Sequence, residues 1–163
     1  MVAVDSLLQL LQRDARTSHA DLAAQLGATV EEIEQRVAAF EKDGTILGYR
    51  AVLDPERLAG GTVQAVIEVR LTPERDGGFD RVAERIAKFD QVQACYLMSG
   101  SYDLLIFIEA KTLGEVAMFV TEKLSPLGGI NATSTHFRLK AYKESGILLA
   151  TPGQGPAKLP VTP

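Results

Sequence analysis

The chain has 163 residues, of which 46% are hydrophobic and 23% charged, a balance typical of a globular protein with two small domains or one medium domain. No apolar run approaches the roughly 20 residues that a membrane span requires, so we expect no membrane partner. The sequence does not open on a basic segment followed by a long apolar stretch, and Cys95 is the single cysteine. We therefore expect a protein of the reducing cytoplasm, without an internal disulfide.

The negative charge is concentrated in the first third of the chain. Residues 1–54 contain nine acidic and five basic residues, which sum to −4, whereas residues 55–163 contain twelve of each. Nucleic acids attract basic surfaces, so this distribution argues weakly against a nucleic-acid partner.

Three short amphipathic helices are predicted in this acidic segment. Asp5 is expected to cap a helix over residues 6–13. Ser18 begins a second helix, which Gly27 ends in a tight turn. Thr29 begins a third helix through a capping box, and its apolar residues recur at helical spacing. Short helices with a tight turn between the last two predict a helix-turn-helix.

The residues after the third helix predict a wing and a change of domain. The segment Thr45–Leu53 is interpreted as a wing and outgoing strand, broken by Asp54 and Pro55. We thus predict a winged helix-turn-helix over residues 1–54, followed by a linker over residues 55–62.

Residues 63–148 predict a second domain in which the hydrophobic period becomes two. The predicted strands are residues 63–71, Val92–Met98, Asp103–Glu109 and Ile130–Leu139. The apolar helix faces between them are Phe79, Val82, Ile86 and Phe89, then Leu113, Val116, Val120 and Leu124, and a loop is expected at Pro73, Gly77 and Gly78. This βαββαβ order indicates an α+β, ferredoxin-like domain with both helices on one sheet face. The bare face is too apolar for water, so we expect it to contact another copy of the chain.

The end of the chain, residues 149–163, contains four of the seven prolines. Such a composition predicts a mobile tail.

Several motifs in this order resemble the Lrp/AsnC, or feast/famine, family of transcriptional regulators. They are Asp5-x-x-Leu8-x-x-Leu11-x-x-Asp14-x-Arg16, Leu22-Ala23-x-x-Leu26-Gly27, Arg36-Val37-x-x-Phe40-Glu41-x-x-Gly44-x-Ile46-x-Gly48-Tyr49, and Val92-Gln93-x-Cys95-x-Leu97-x-Ser99-Gly100-Ser101-Tyr102-Asp103. The resemblance implies DNA binding through the helix-turn-helix and dimers formed by the βαββαβ (RAM-type) domain. It also implies assembly up to octamers, with amino acids bound between dimers.

The resemblance makes the third helix the DNA recognition helix. The DNA-contacting residues we predict are Ser18, Thr29, Gln35, Arg36, Lys42 and Arg50. Residues 29–43 contain five acids and two bases, however, for a sum of −3. Glutamates near a helix N-terminus stabilise the helix itself, so these acids are equally consistent with a well-capped helix that faces solvent. An acidic helix also favours an alternative: a sensor or assembly protein of the same fold that has lost strong DNA binding.

The turn before the third strand is the candidate ligand site, because in similar proteins it lines the effector pocket. Its residues are Ser99, Gly100, Ser101, Tyr102 and Asp103, and Thr133 and Thr135 on the last strand are added as hydroxyl contacts. Glycine leaves backbone N–H groups open to a carboxylate, and an aspartate pairs with an ammonium, so an amino acid fits. The plainer alternative is an ordinary hairpin turn, in which Gly and Asp serve the backbone alone.

No pattern indicates catalysis. There is no P-loop, no GxGxxG, no Ser-His-Asp order and no metal-ligand spacing, and His19 and His136 are far apart in the sequence. Sirohaem decarboxylases share the two-module fold but carry a tryptophan-containing motif, and this chain has no tryptophan. We expect no enzymatic activity, no cofactor and no metal. The leading hypothesis is a DNA-binding regulator that responds to an amino acid or related metabolite.

Overall fold

The structure is a computed structural model that describes residues 5–58, 60–72 and 79–149. The chain divides into two compact units, an N-terminal unit of residues 1–51 and a C-terminal unit of residues 52–163. The division falls three residues before the boundary that the sequence predicts at residue 54.

Two predictions from the sequence lie outside the described residues. One is the loop at Pro73, Gly77 and Gly78, and the other is the tail from residue 150 onward. Leu149, which the sequence assigns to the tail, is described, and its N–H donates to the Tyr142 carbonyl at 3.0 Å.

The N-terminal unit consists of three helices: α1 (Ser6–Arg13), α2 (His19–Leu26) and α3 (Val30–Lys42). All three predicted N-caps are confirmed, because each side chain accepts a hydrogen bond from the backbone N–H of the second or third residue of its helix. Asp5 accepts from Leu7, Ser18 from Asp21 and Thr29 from Glu32. Thr29 and Glu32 form the full capping box. Gly27 ends α2 in the left-handed conformation, with φ of 65°.

The core of the N-terminal unit is small and entirely apolar. It is formed by Leu7, Leu22, Ala23, Ile33 and Val37, with one or two residues from each helix. The predicted buried face of α3 is confirmed at Ile33 and Val37. Val30, the first residue of α3, is instead 36% exposed, because a helix end projects beyond its neighbours.

The predicted wing strand over Thr45–Leu53 is wrong for this chain as described. Those residues form no strand, and Leu47 is 94% exposed. A strand needs a hydrogen-bonded partner, and the described part of the N-terminal unit offers only helices. The segment is anchored at its start, where the Ile46 N–H donates to the Phe40 carbonyl at 2.9 Å.

An ion pair joins the start of α1 to the middle of α3. Nη2 of Arg36 lies 2.7 Å from Oδ1 and 2.9 Å from Oδ2 of Asp5, and both side chains are about a third exposed. Burial alone raises the pKa of Asp5, but the hydrogen bonds from the Leu7 N–H and from Arg36, with the charge of Arg36, outweigh it and lower that pKa. Asp5 therefore serves both as the cap of α1 and as the partner of α3.

The C-terminal unit contains a four-stranded antiparallel sheet in the order β2-β3-β1-β4. Its elements are a 3-10 turn (Pro55–Arg57), β1 (Val63–Leu71), α4 (Asp80–Ala87), β2 (Val92–Leu97), β3 (Leu104–Ala110), α5 (Leu113–Met118) with a π-helical continuation (Phe119–Leu124), β4 (Ile130–Phe137), β5 (Lys143–Glu144) and β6 (Ile147–Leu148). The predicted ferredoxin-like order is confirmed, with strand ends shifted by one or two residues.

The two faces of the sheet differ sharply. The helix-covered face buries Ala65, Ile67, Val69 and Leu71 of β1 against Ile86, Val116 and Phe119. The opposite face, which we call the open face, carries the alternate residues. These include Val66, Glu68, Tyr96, Leu105, Phe107, Ser134 and His136, which lie side by side in the strand register. Phe107 is 37% exposed and packs edge-on against Tyr96, with ring centroids 6.0 Å apart.

The helix after β3 departs from its predicted pattern. Val116 and Leu124 are buried as predicted, but Leu113 is 57% exposed and Phe119 takes an inward position that the sequence did not indicate. Leu113 opens the helix at its exposed end, and the change to π-helical hydrogen bonds at Phe119 alters the residue spacing that faces the sheet.

A short hairpin of β5 and β6 follows the sheet and was not predicted. Its turn is Ser145-Gly146, and both residues have positive φ, 46° and 84°. Two central residues with positive φ fit a type I′ hairpin turn, in which Ser-Gly is a recognisable signal.

We predict that the two functions of Asp5 separate by substitution. Asp5→Asn keeps an N-cap oxygen and loses the charge, so it should destabilise the protein by about 0.2–1 kcal/mol. Asp5→Ala loses both, and should cost about 1–2 kcal/mol. Urea denaturation of both variants, followed by circular dichroism, measures these differences.

The pH dependence gives an internal control for the same pair. Because the pKa of Asp5 is lowered in the folded protein, its charge stabilises the fold above the ordinary value of 3.8 and ceases to do so as pH falls through the lowered value. The stability gap between the wild type and Asp5→Asn should hold from pH 5 to 7 and close below about pH 4. A gap that does not change with pH would contradict the ion pair.

Candidate functional site

The outer surface of α3 is the first candidate site, because the α2–α3 pair has the form of a helix-turn-helix. Gln35 and Lys42 are exposed on this surface, and Arg50 is exposed in the irregular segment that follows α3. Their exposure leaves these three side chains accessible to a ligand outside the unit, as far as the described residues show.

The hydroxyls of Ser18 and Thr29 are already used by the helix caps. Ser18 Oγ accepts from the Asp21 N–H at 3.1 Å and lies 2.6 Å from Asp21 Oδ2. Thr29 Oγ1 accepts from the Glu32 N–H at 3.2 Å, and the Glu32 carboxylate accepts from the Thr29 N–H at 2.8 Å. Both residues are exposed. A phosphate at Ser18 would have to share the hydroxyl donor with Asp21, whereas the Thr29 hydroxyl accepts within its cap and can still donate its O–H.

Arg36 is held back from the surface by Asp5. One guanidinium nitrogen, Nη2, donates to both carboxylate oxygens of Asp5, and the Arg36 side chain is only 38% exposed. A guanidinium has five N–H donors, so contact with DNA is still chemically feasible. The geometry nevertheless indicates that Arg36 positions α3 against α1, a role that the sequence alone did not reveal.

Most acidic residues of α3 have partners within the N-terminal unit. Glu32 completes the capping box, Glu34 lies 3.5 Å from His19 Nδ1, and Glu41 accepts from the Tyr49 hydroxyl at 3.0 Å. Burial, together with the hydrogen bond and charge of Glu41, raises the pKa of Tyr49. The acidity of α3 is therefore largely explained by the fold of the unit itself.

The second candidate site is the turn between β2 and β3, Ser99-Gly100-Ser101-Tyr102-Asp103. The Met98 N–H donates to the Asp103 carbonyl at 2.8 Å and closes the turn. Gly100 has φ of 144°, a conformation that L side chains rarely adopt, and an added Cβ would meet nothing within 4 Å. Ser99, Gly100 and Ser101 are exposed, whereas Tyr102 and Asp103 are half-buried. The tip of the turn is therefore open to a ligand.

Asp103 ties this turn to the centre of the sheet. Its N–H donates to the Val69 carbonyl at 2.9 Å, and its Oδ2 accepts from the Leu71 N–H at 2.7 Å. Leu71 lies where the pairing of β1 with β4 shifts register, so the carboxylate satisfies a donor that the ladder leaves over. Replacing Asp103 with alanine would therefore also remove the acceptor for the Leu71 N–H.

Thr133 and Thr135 are not beside the turn. They lie on the edge strand β4, paired with Val69 and Ile67, and β1 separates them from β3. Two strand spacings place Thr133 about 10 Å across the sheet from Leu104. Both threonines are half-buried and share the helix-covered side with their β1 partners.

The remaining reactive residues do not form a chemical site. Cys95 is half-buried on the helix-covered side, and burial raises the pKa of its thiol, which disfavours the nucleophilic thiolate. His136 Nε2 lies 3.4 Å from Glu68 Oε1 and 3.3 Å from Ser134 Oγ on the open face. Within residues 5–58, 60–72 and 79–149, no three His, Cys, Asp or Glu side chains cluster as metal ligands, and no helix has the length and hydropathy to cross a membrane.

Two family models match the chain in the order of its two units. The AsnC-type helix-turn-helix domain matches residues 6–41, which contain α1, α2 and nearly all of α3. The Lrp/AsnC ligand binding domain matches residues 64–148, which contain the sheet, its helices and the β5–β6 hairpin.

Several known regulators are similar to this chain over nearly their full length. The chain is 39% identical to the HTH-type transcriptional regulator YugG of Bacillus subtilis, over 96% of this chain and 95% of that protein. It is 30% identical to the leucine-responsive regulatory protein of Haemophilus influenzae, over 90% and 89% of the two chains. A transcriptional regulator of Neisseria meningitidis, solved as a complex with L-Met, is 25% identical and superposes with a TM-score of 0.68, over 87% and 94% of the chains. The chain belongs to the Lrp/AsnC family of transcriptional regulators.

Proposed function

We propose that this protein is a cytoplasmic regulator that binds DNA through α2 and α3 and responds to an amino acid or a related small carboxylate. The observation that carries the proposal is the helix-turn-helix with an exposed α3 surface, joined in one chain to a ligand binding domain. Under this proposal α3 enters the major groove of DNA, and the turn at residues 99–103 contacts the effector.

The charges around α3 support a weak attraction to phosphate from each N-terminal unit. Lys42 and Arg50 are exposed, whereas the charge of Arg36 is paired with Asp5. Each neutralised phosphate contributes about 0.9 to the slope of log K against log salt. Few available cations therefore imply a shallow salt slope and a need for several units on one DNA, because linkage multiplies modest affinities.

We predict different effects for the two kinds of cation. Lys42→Gln should weaken binding and reduce the salt slope by about 1, because it removes a phosphate contact. Arg36→Ala should weaken binding with an unchanged slope, and Asp5→Asn should reproduce part of that loss, because both disturb the position of α3.

Glu31→Gln should strengthen non-specific binding by removing repulsion. Fluorescence anisotropy at several salt concentrations measures each effect on labelled DNA from upstream of the protein's own gene and on a random fragment of equal length.

Lys88→Gln, in the C-terminal unit, is the matched control and should leave affinity and slope unchanged. A reduced slope for Arg36→Ala would show that Arg36 contacts phosphate directly. If no fragment binds, with or without amino acids, the DNA-binding half of the proposal fails, and the sensor that has lost strong DNA binding becomes the better description.

The proposed effector site rests on the chemistry of the turn. Exposed backbone at Ser99, Gly100 and Ser101 offers N–H groups to a carboxylate, and the half-buried carboxylate of Asp103 offers a partner to an ammonium group. The L-Met complex of the Neisseria relative makes amino acids the first ligands to test. Thr133 and Thr135 fit this site only if a second subunit brings them to the ligand, since β1 separates them from the turn within one chain.

We predict that Asp103→Asn separates ligand binding from folding. The asparagine oxygen still accepts from the Leu71 N–H, so the unfolding temperature should stay near that of the wild type. The lost charge should weaken amino-acid binding about tenfold. Asp103→Ala should lower both affinity and stability. Calorimetry with L-Met, L-Leu and L-Ala, beside thermal unfolding, tests this, and unchanged affinity in Asp103→Asn would confine Asp103 to its bond with Leu71.

The open face supports self-association. The apolar centre of this face is formed by Val66, Leu105 and Phe107. The described helices pack against the opposite face of the sheet and leave this centre uncovered. Since an uncovered apolar sheet face is costly in water, we propose that two chains pair through it, and that pairs assemble further up to octamers.

We predict that Phe107→Asp shifts the protein toward monomers. A charge at the centre of the open face would be buried without a partner, so the dissociation constant should rise by at least about tenfold. Leu113→Asp is the control, because Leu113 is exposed at the start of α5, on the helix side. Sedimentation velocity at micromolar concentration should show wild type and Leu113→Asp associated alike; a monomeric wild type would refute the pairing.

A further inference from the structure

A cleft in the C-terminal unit is lined by none of the residues assigned to the two candidate sites. It has a volume of about 170 Å³ and is formed where four chain segments converge: residues 54–55, 62–64, 138–142 and Leu149. Its walls are held in place by two contacts. The Arg138 N–H donates to the Gln64 carbonyl at 2.8 Å, and the Leu149 N–H donates to the Tyr142 carbonyl at 3.0 Å.

The side chains that line the cleft have a net positive charge when the two of them that form ion pairs are counted as neutral. Asp54 is paired with Arg57 at 3.3 Å, and Arg138 with Glu144 at 3.0 Å. Lys140 Nζ lies 5.2 Å from the centroid of the Tyr142 ring and has no ion pair among the described residues. The cleft thus presents one uncompensated ammonium beside the remaining donors of a guanidinium, which favours an anion.

Apolar groups also line the cleft, beside the polar Thr62 and Gln64, and they limit the size of that anion. Pro55, Leu139, Ala141 and Leu149 line the cleft together with the Tyr142 ring. An engineered cavity of about 150 Å³ holds a benzene molecule, so this cleft accommodates a ligand of about six non-hydrogen atoms. Bare phosphate would leave the apolar lining unused, whereas a carboxylate on a short hydrocarbon chain uses both kinds of group.

The cleft is at the opposite end of the sheet from the turn at residues 99–103. Gln64 lines the cleft at the start of β1, while Asp103 binds Leu71 at the end of β1. Seven residues of strand separate the two ends by about 23 Å. We propose that this cleft is a second ligand site, which binds a small organic carboxylate, with the carboxylate on Lys140 and Arg138 and the hydrocarbon part against the Tyr142 ring and Leu149.

Calorimetry on the full chain tests the proposal with a matched pair of probes at constant ionic strength. Isobutyrate has six non-hydrogen atoms and a charge, and isobutyramide has the same shape without the charge. Isobutyrate should bind with a dissociation constant of about 1–10 mM, as expected for so small a ligand, and isobutyramide should not bind measurably. Lys140→Gln should weaken isobutyrate binding by about fivefold.

A control variant locates the binding. Lys143→Gln removes a charge from an exposed lysine nearby that does not line the cleft, and it should stay within about twofold of the wild type. Equal binding of the amide, an equal loss in Lys143→Gln, or no binding at all would overturn the proposal. Isobutyrate binding that is unchanged in Lys140→Gln would place the carboxylate outside the cleft, which would overturn this inference and leave the proposed effector site standing.

Discussion

The pairing of β1 with β3 on one side and β4 on the other is the constraint on which the C-terminal unit depends. Because strand side chains alternate, this pairing assigns Ile67 and Val69 to the helices and Val66 and Glu68 to the open face. A slip of one residue would exchange the two sets and put charge into the core. Where the ladder with β4 shifts at Leu71, the left-over N–H is taken by Asp103, so the same strand also fixes the turn proposed to bind the effector.

Several polar residues of the two candidate sites stabilise the fold itself. Ser18 and Thr29 cap helices, Arg36 holds α1 to α3, and Asp103 completes the sheet. Alanine at any of these positions mixes a loss of stability with a loss of binding. Substitutions that keep the structural hydrogen bond and remove only the charge are therefore more informative about function, which is why asparagine is the useful replacement for both aspartates.

Local signals predicted the helix ends and the strand order well. The caps at Asp5, Ser18 and Thr29 act on N–H groups within three residues, and the period of two in β1 is visible in the sequence. The pairs Asp5–Arg36 and Asp103–Leu71 join residues 31 and 32 positions apart, and no local pattern announces them. The wing failed for a related reason, since a strand requires a partner that the sequence of the segment does not specify.

The cleft could not be predicted from any one stretch of sequence, because its lining comes from four segments. The alternation of Arg138, Lys140 and Tyr142 was nevertheless a pattern that could have indicated part of it. All three residues lie beyond the observed end of β4 at Phe137, and Lys140 and Tyr142 also lie beyond the predicted strand, which ends at Leu139. Basic and aromatic residues at every second position of an extended segment project to the same side. Such a segment indicates a surface for an anion even before its opposite wall is known.

The charge of α3 illustrates why a formal count is a poor measure of DNA affinity. Two exposed unit charges 4 Å apart interact by about 1 kcal/mol in water, and salt screens them over about 8 Å at physiological ionic strength. Glu31 and Glu32 lie in the first turn of α3, where the helix dipole supplies about half a positive charge, and Glu34 and Glu41 face partners within the unit. Only acids that come within a few ångströms of a phosphate oppose binding appreciably. Under the proposed function, the affinity of the N-terminal unit for DNA depends on which residues approach the phosphates, so the exposed Lys42 and Arg50 are expected to carry more weight than the sum of −3 over residues 29–43.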